Sequence, residues 1–478
     1  MKIVTRGDDR RGLDQEAILL RTQSEDLAAF ALDLQGEQIP GDIIEIAKTH
    51  LLDAIGIALA SSSFEFAGPV LAGARALGSG GAASAIGSGE ALPPASAALV
   101  NGTLIHGLDF DDTHIGAIYH ASAPALAAAL AVAQSHAANG AALLEAYVVG
   151  LEIGCRIAGA VAGELHNQGY HPTAVCGVFA AAAAAGRLEG ISQDALVSAL
   201  GLSGSQAAGI LEISGAWNKR LHPGWAAHAG IAAVALAKNG FLGPREVFEG
   251  TFGFYRSHVG HLPETEHLPA RGLGEEWRIE GIGLKPYPCC HLIHSFVDAV
   301  LALRGEFDPD EVEAIDCPLT ETLHPILAEP RELRIRPPIA YDALFSVPYV
   351  VALALVRGRV DLDAFYAEPL DDPEILRVAA LTTCSVDEQS DYPAHFPGEV
   401  RVRLKDGRVL RRREPYSRGT PERRLSREAV SDKFFQNSRR AVPTSRAEAI
   451  VEHVFDIENQ NSIDDLLRLC VSDEGSPS

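Results

Sequence analysis

The chain has 478 residues, which at roughly 150 residues per domain predicts two or three domains. Hydrophobic residues make up 47% and charged residues 22%, the balance of folded globular domains, which excludes wholesale disorder and a collagen-like fibre. A formal net charge of -23 argues against nucleic acid and anionic lipid as partners, so any anionic ligand needs a local concentration of positive groups.

Residues 1–23 are charged and aperiodic, with no apolar stretch of signal-peptide length, and are read as a mobile N-terminal arm. Ser24 is the expected N-cap of a helix over Glu25–Leu34, and a second helix is expected over Asp42–Ser61, where apolar residues recur at helical spacing. The Gly/Ser-rich stretch Gly78–Gly89 breaks that pattern and predicts a short strand or hairpin around Ala82–Ile86, before Pro93 and Pro94 open the next helix. From Ala95 to about Gly240 the spacing predicts long alanine-rich helices over Ala121–His136, Ala142–Ala162, Thr173–Leu188, Gln193–Gly209 and Trp225–Lys238. The most apolar runs, Ala125–Ala133 and Val178–Ala185, fall well short of the roughly 18 residues that a membrane span requires. Past Glu275 the texture turns to alternating segments, Val312–Leu319, Glu332–Ile335 and Glu399–Leu404, the last running through a hairpin signal at Asp406 and Gly407 into Val409–Arg411. Three polar helices close the chain: Ser426–Asn437, Ser445–Val454 and Ile463–Val471.

The expected fold class is mainly α: a large helical bundle over 24–275, an inserted smaller α+β lid domain over 276–412, and C-terminal helices, 413–478, that return to the bundle. Seven cysteines without framework spacing fit a reducing, cytoplasmic compartment.

Four segments concentrate chemistry. Asn101-Gly-Thr-Leu-Ile-His-Gly-Leu-Asp-Phe-Asp-Asp-Thr-His114 packs three carboxylates, hydroxyl groups and two imidazoles into fourteen positions, and His120 follows before a helix. Asp109, Asp111, Asp112 and His114 offer hard-cation ligands, but calcium-loop spacing is absent, and the plain alternative is a helix end with Asp112 or Thr113 as a cap. In Gly169-Tyr-His-Pro-Thr-Ala174, Pro172 suits a first helical turn and sets Tyr170 and His171 at a helix start, where an anion is favoured. Lys219-Arg-Leu-His-Pro-Gly224 gathers the cations that carboxylate binding needs, with Lys219 a candidate base and His222 beside it; a solvated charge run is the alternative. Leu284-Lys-Pro-Tyr-Pro-Cys-Cys-His-Leu-Ile-His294 brings a lysine, Tyr287 and a thiol towards a further helix start, and its Cys289, Cys290, His291 and His294 lack the second ligand pair that wraps zinc. The expected metal content is therefore none.

Together with Ala199–Gly209 and Phe345–Tyr349, these segments resemble the MmgE/PrpD family over about residues 25–470. The resemblance implies a homodimer with a cofactor-free pocket for a small di- or tricarboxylate. It assigns pocket roles to Asp109, Thr113, His120, His171, Lys219 and Lys285, with His222, Tyr287 and Cys290 as neighbours. Members of that family dehydrate 2-methylcitrate, epimerise iminodisuccinate or decarboxylate cis-aconitate. All three reactions need carboxylates held by cations and a proton moved at a neighbouring carbon, or a bond cleaved there. The expected assignment gives Lys285 and His120 as clamps, Lys219 or His171 as base, Asp109 as orienter of a histidine and Thr113 as a hydrogen-bond partner; Tyr170 or His171 serves as second base if the reaction is epimerisation. Two positions depart from the family pattern: Ala121 where many members have proline, and Cys290 where cis-aconitate decarboxylases carry histidine. The second ranks a dehydratase-like lyase first, an epimerase second and a decarboxylase third, with an inactive carboxylate-binding or scaffold protein as the remaining reading.

Overall fold

The computed structural model describes residues 21–213, 216–392 and 395–473. Most of the expected arm, 1–20, lies outside the described residues. The protein is mostly helical, as the apolar periodicity predicts, with small sheets between the helices.

The first helix, Gln23–Asp33, starts two residues earlier than expected. Thr22, not Ser24, is its cap, because Glu25 lies three residues on and returns the hydrogen bond in a capping box, while Ser24 is buried inside the helix. Helices Gly41–Ser61, Pro94–His106, Ser122–Ser135, Gly140–Gly159, Pro172–Leu188 and Gln193–Gly204 follow; the last ends five residues before the expected Gly209. Helix Asn218–Lys238 begins seven residues before the expected Trp225, taking the basic cluster and Pro223 into its first turns. Ala67–Leu77, which the sequence reading passed over, is also a helix.

Small residues let these helices approach closely. A Cβ on Gly224 would meet the Leu99 carbonyl at 2.2 Å, and one on Gly230 the Val178 carbonyl at 2.7 Å, so helix Asn218–Lys238 lies tight against both Pro94–His106 and Pro172–Leu188. One hydrophobic core joins these helices to Val430, Phe434, Ile450, Val454 and Leu466 near the C-terminus.

A second core runs from Tyr287 to Leu404. Its four-stranded sheet has Val312–Asp316 parallel to Thr382–Thr383 and antiparallel to Gly398–Leu404, which pairs with the edge strand Val409–Glu414. Three arginines, Arg401, Arg411 and Arg413, bind the buried Glu399 there, and a charged edge resists further pairing. The expected extended segment Glu332–Ile335 is instead a short helix, Arg331–Ile335, because Pro330 opens a helical turn.

Two contacts position what lies between the cores. Ile282 and Gly283 pair antiparallel with His114 and Thr113, and that register delivers Lys285 to the acidic turn after helix Pro94–His106. From the C-terminal helix Arg427–Ser438, Lys433 pairs with Asp53 at 2.7 Å, donates to the Phe110 carbonyl at 3.0 Å and lies 3.7 Å over the Phe110 ring. Both members of this pair are buried, so breaking it leaves a charge without its partner. Lys433→Met is expected to cost about 3–5 kcal/mol in urea denaturation, and Lys433→Met combined with Asp53→Leu to recover most of that loss. Equal midpoints for the single substitution and the unmodified protein would contradict this role.

Candidate active site

Helix Pro94–His106 ends in a turn where Asp109 takes a left-handed backbone conformation, φ 51°, which aspartate tolerates better than most residues. That turn aims its carboxylate between two cations. Lys219 Nζ, from the first turn of helix Asn218–Lys238, donates to Asp109 Oδ2 at 2.7 Å; Lys285 Nζ donates to the Asp109 carbonyl at 2.8 Å and to Oδ1 at 3.2 Å. His120 Nε2 lies 3.8 Å from the same carboxylate. Burial alone would raise the Asp109 carboxyl; Lys219 and Lys285 outweigh it and hold the group well below the usual carboxylate range.

Next to this charge cluster stands a face of imidazoles. His106 Nδ1 donates to Asp111 at 2.9 Å, and His120 Nδ1 donates to the Asp112 carbonyl at 2.8 Å with Asp111 at 3.3 Å and the Thr113 hydroxyl at 3.4 Å. His171 caps helix Pro172–Leu188, pinned by its backbone N–H on the Gly209 carbonyl, and its Nδ1 meets His222 Nδ1 at 3.0 Å. His120 is fixed to the same helix through its backbone N–H and the Thr173 hydroxyl. The rings of His106, His120 and His171 lie 4.6–6.0 Å apart, centroid to centroid. Burial pushes His106 down and His171 well below the usual imidazole value, and His222 down to about 4, so these three rings are neutral at physiological pH. Burial also works against ionisation of Asp111, but the imidazoles on its oxygens keep it an anion.

The structure therefore brings Asp109, Thr113, His120, His171, Lys219, His222 and Lys285 together. Cys290 is close enough for Lys285, Asp109 and Lys219 to act on its thiol, which burial pushes up and keeps protonated. The other two expected residues point elsewhere. The Tyr170 ring packs on His258 at 4.9 Å, and the Tyr287 hydroxyl donates to Asp298 at 2.7 Å within the second core. The four residues weighed as cation ligands are divided: Asp109 and Asp111 face the cluster, whereas Asp112, as the capping alternative had it, accepts from His50 at 2.7 Å and from the Ser122 backbone at 3.1 Å at the start of helix Ser122–Ser135. His114 packs instead against the Gly281 backbone.

Two residues were given no role from sequence, His106 and Tyr341. His106 lies within the first polar segment, at the end of a helix buried from Ser96 onwards, and its place directly before an acidic turn was the available signal. Tyr341 comes from the short helix Ala340–Ala343, and its phenol feels Asp109, Arg220, Cys290 and Lys285; no local motif marks it.

Two family profiles match in succession: the MmgE/PrpD N-terminal domain over residues 25–266 and the MmgE/PrpD C-terminal domain over 287–457. The chain belongs to the MmgE/PrpD family. Among curated relatives, it is 28% identical over 469 residues to a cis-aconitate decarboxylase of Aspergillus terreus, covering 93% of this chain and 95% of the relative. It is 26% identical over 481 residues to a cis-aconitate decarboxylase of Mus musculus, with 96% of each chain covered, and 26% identical over 459 residues to that of Homo sapiens, with 92% and 93% covered. The C-terminal profile of the family spans the second core and the helices that return to the first, so Lys433 belongs to the same family unit as Cys290.

The neutral imidazoles give this MmgE/PrpD protein a signed pH dependence. Above the unfolded value of about 6.5 both states are unprotonated and the effect vanishes. As pH falls from 6.5 towards 4, the unfolded chain takes up a proton at His222 that the native state refuses. Stability is expected to drop across that window by about 1.4 kcal/mol per pH unit for each such group. His222→Gln should flatten the slope in urea denaturation between pH 6.5 and 4; an unchanged slope would remove His222 from this account.

Proposed function

We propose that this chain is a cofactor-independent lyase that decarboxylates a small, cis-aconitate-like tricarboxylate in the pocket around Asp109. The observation that carries the reading is the convergence of Lys219 and Lys285 on one carboxylate beside buried, neutral imidazoles, in a chain similar to cis-aconitate decarboxylases along nine-tenths of its length. The sequence reading placed this reaction third; the relatives now put it ahead of dehydration.

In the proposed mechanism, substrate carboxylates take over the lysine hydrogen bonds that Asp109 holds. Lys285 and His120 grip two of them. The carboxylate on the saturated carbon leaves as CO2, and its electron pair forms a new double bond. Electrons of the old double bond take up a proton at the far carbon, delivered from the Lys219 ammonium. Water returns the proton afterwards, so no oxidant or reductant enters the balance. Lysine ammoniums stabilise the charge that develops as CO2 departs, the electrostatic contribution that preorganised cations supply in a dry site. The second core, which carries Cys290 and Tyr341 to the pocket rim, is read as a lid. The chain is further read as a homodimer in a reducing compartment, its seven cysteines being free thiols.

Dehydration of a 2-methylcitrate-like substrate is a second reading, favoured by Cys290, since a protonated thiol stands where the decarboxylases carry histidine. Proton NMR in D2O with cis-aconitate, 2-methylcitrate and iminodisuccinate in separate tubes separates the cases. Decarboxylation predicts terminal-methylene signals, one deuteron in the product and released bicarbonate. Olefinic signals from 2-methylcitrate alone would install the dehydratase in its place. Lys219→Ala is expected to lower the rate by at least about 100-fold with the circular-dichroism spectrum preserved. Silence with all three substrates, or full activity in that variant, would overturn the mechanism.

A further inference from the structure

We propose that the imidazole face of this pocket binds a divalent first-row transition metal ion such as Zn2+ through one ring nitrogen each of His106, His120 and His171, and that the bound ion inhibits turnover. One ring nitrogen from each of the three residues lies within 4.8 Å of those of the other two, and all three side chains are at least nine-tenths buried.

The arrangement around the rings is what a nitrogen-ligated metal needs. A metal-bound histidine keeps its second nitrogen on a carboxylate, a carbonyl or another acceptor, which fixes the tautomer and aims the free lone pair. Here every Nδ1 is so engaged: His106 on the Asp111 carboxylate at 2.9 Å, His120 on the Asp112 carbonyl at 2.8 Å and His171 on His222 at 3.0 Å. The Nε2 atoms of His106 and His171 are buried and have no hydrogen-bond partner among the described residues. Two such orphans on one face are an unmet demand, because a buried polar atom without a partner is costly. A metal ion would satisfy both at once.

The electrostatics permit a cation despite the neighbouring lysines. Lys219 and Lys285 are both engaged by Asp109, and Asp111 stands behind His106 and His120, so two ammoniums are balanced by two carboxylates. Burial keeps His106 and His171 in the neutral form that ligates metals. Three imidazoles with an open fourth position suit Zn2+, Co2+, Ni2+ or Cu2+ and not the oxygen-seeking Mg2+ or Ca2+. An ion held there would withdraw His120 and His171 from substrate, which is why its expected effect on turnover is inhibition. That last clause rests on the lyase reading; the binding site does not.

The test uses the full chain, stripped with a chelator and dialysed separately against Zn2+, Co2+ and Mg2+. The expected result is one equivalent of Zn2+ per chain, visible ligand-field bands with Co2+ and no uptake of Mg2+. His106→Gln and His171→Gln should each abolish uptake, and Asp111→Asn should weaken it by about 10–100-fold, the usual effect of losing a histidine's supporting carboxylate. Glu266→Gln with His267→Asn, which dismantles an exposed Glu264/Glu266/His267 cluster, should leave uptake unchanged. No Co2+ bands and no stoichiometric Zn2+ in the unmodified protein would overturn the site without requiring any variant to fold. Uptake that survives both histidine substitutions, or that disappears with the exposed cluster, would overturn it as well. Turnover of the substrate identified above should fall in Zn2+ and return with EDTA; metal binding without that loss would overturn the inhibitory role. Because uptake is read without turnover, an inactive protein would count against the lyase reading alone.

Discussion

Two lysines from distant parts of the chain meet on one aspartate, and the local structure of the pocket follows from making that meeting compatible with burial. A carboxylate this far from bulk water is stable as an anion only if cations replace its hydration. Lys219 arrives because helix Asn218–Lys238 starts early and absorbs Pro223 into its first turns. Lys285 arrives because a two-residue ladder fixes Gly283 opposite Thr113. Asp109 itself reaches them from a left-handed turn, a conformation that its contacts with both lysines hold in place. In the free site, the aspartate thus occupies the seat that the proposal assigns to a substrate carboxylate.

The imidazoles depend on the same dryness from the other side. Alanine and glycine at the helix crossings bring backbones close enough to leave little room for water around His106 and His171, and it is this desolvation that keeps both rings neutral. Behind them a second polar layer carries the strain of burial: His50 and Ser122 on Asp112, Tyr147 on Ser122, and Lys433 on Asp53 and the Phe110 carbonyl. These groups touch no substrate in the proposed mechanism, yet they set the path of residues 110–113 and therefore the aim of Asp109.

How much of this was legible follows from the range of the interactions involved. Helices were, because their apolar stripes are local and alanine-rich; boundaries went wrong where a cap competed, as Thr22 with Glu25 did against Ser24, or where tertiary packing carried a helix through proline at Asn218–Lys238. Seven site residues were legible since each lies at or near a turn or helix start dense in polar groups. Direction was not: nothing local tells that Tyr170 turns to His258 and Tyr287 to Asp298. Tyr341 was invisible because no local motif marks it, and His106, though inside a polar segment, takes its role only from the Asp111 carboxylate that folds against it.

The pocket has two chemically distinct faces, and their separation explains how a strongly acidic chain can recruit an anion. The lysine face is positive, though Asp109 cancels part of that charge while no substrate carboxylate takes its place; on the imidazole face His106 and His171 are neutral and each keeps an unpartnered Nε2. Protonating the second face would add cations and draw anions in more strongly, but it would remove the neutral bases and strain the packing that excludes water. In the proposed mechanism burial sets a division of labour, with charge and the transferred proton on the lysines and His106 and His171 held neutral. The Lys433 pair holds the Phe110 carbonyl, one residue from Asp109, in its place, so a substitution there loosens the turn that carries the aspartate along with the core it belongs to.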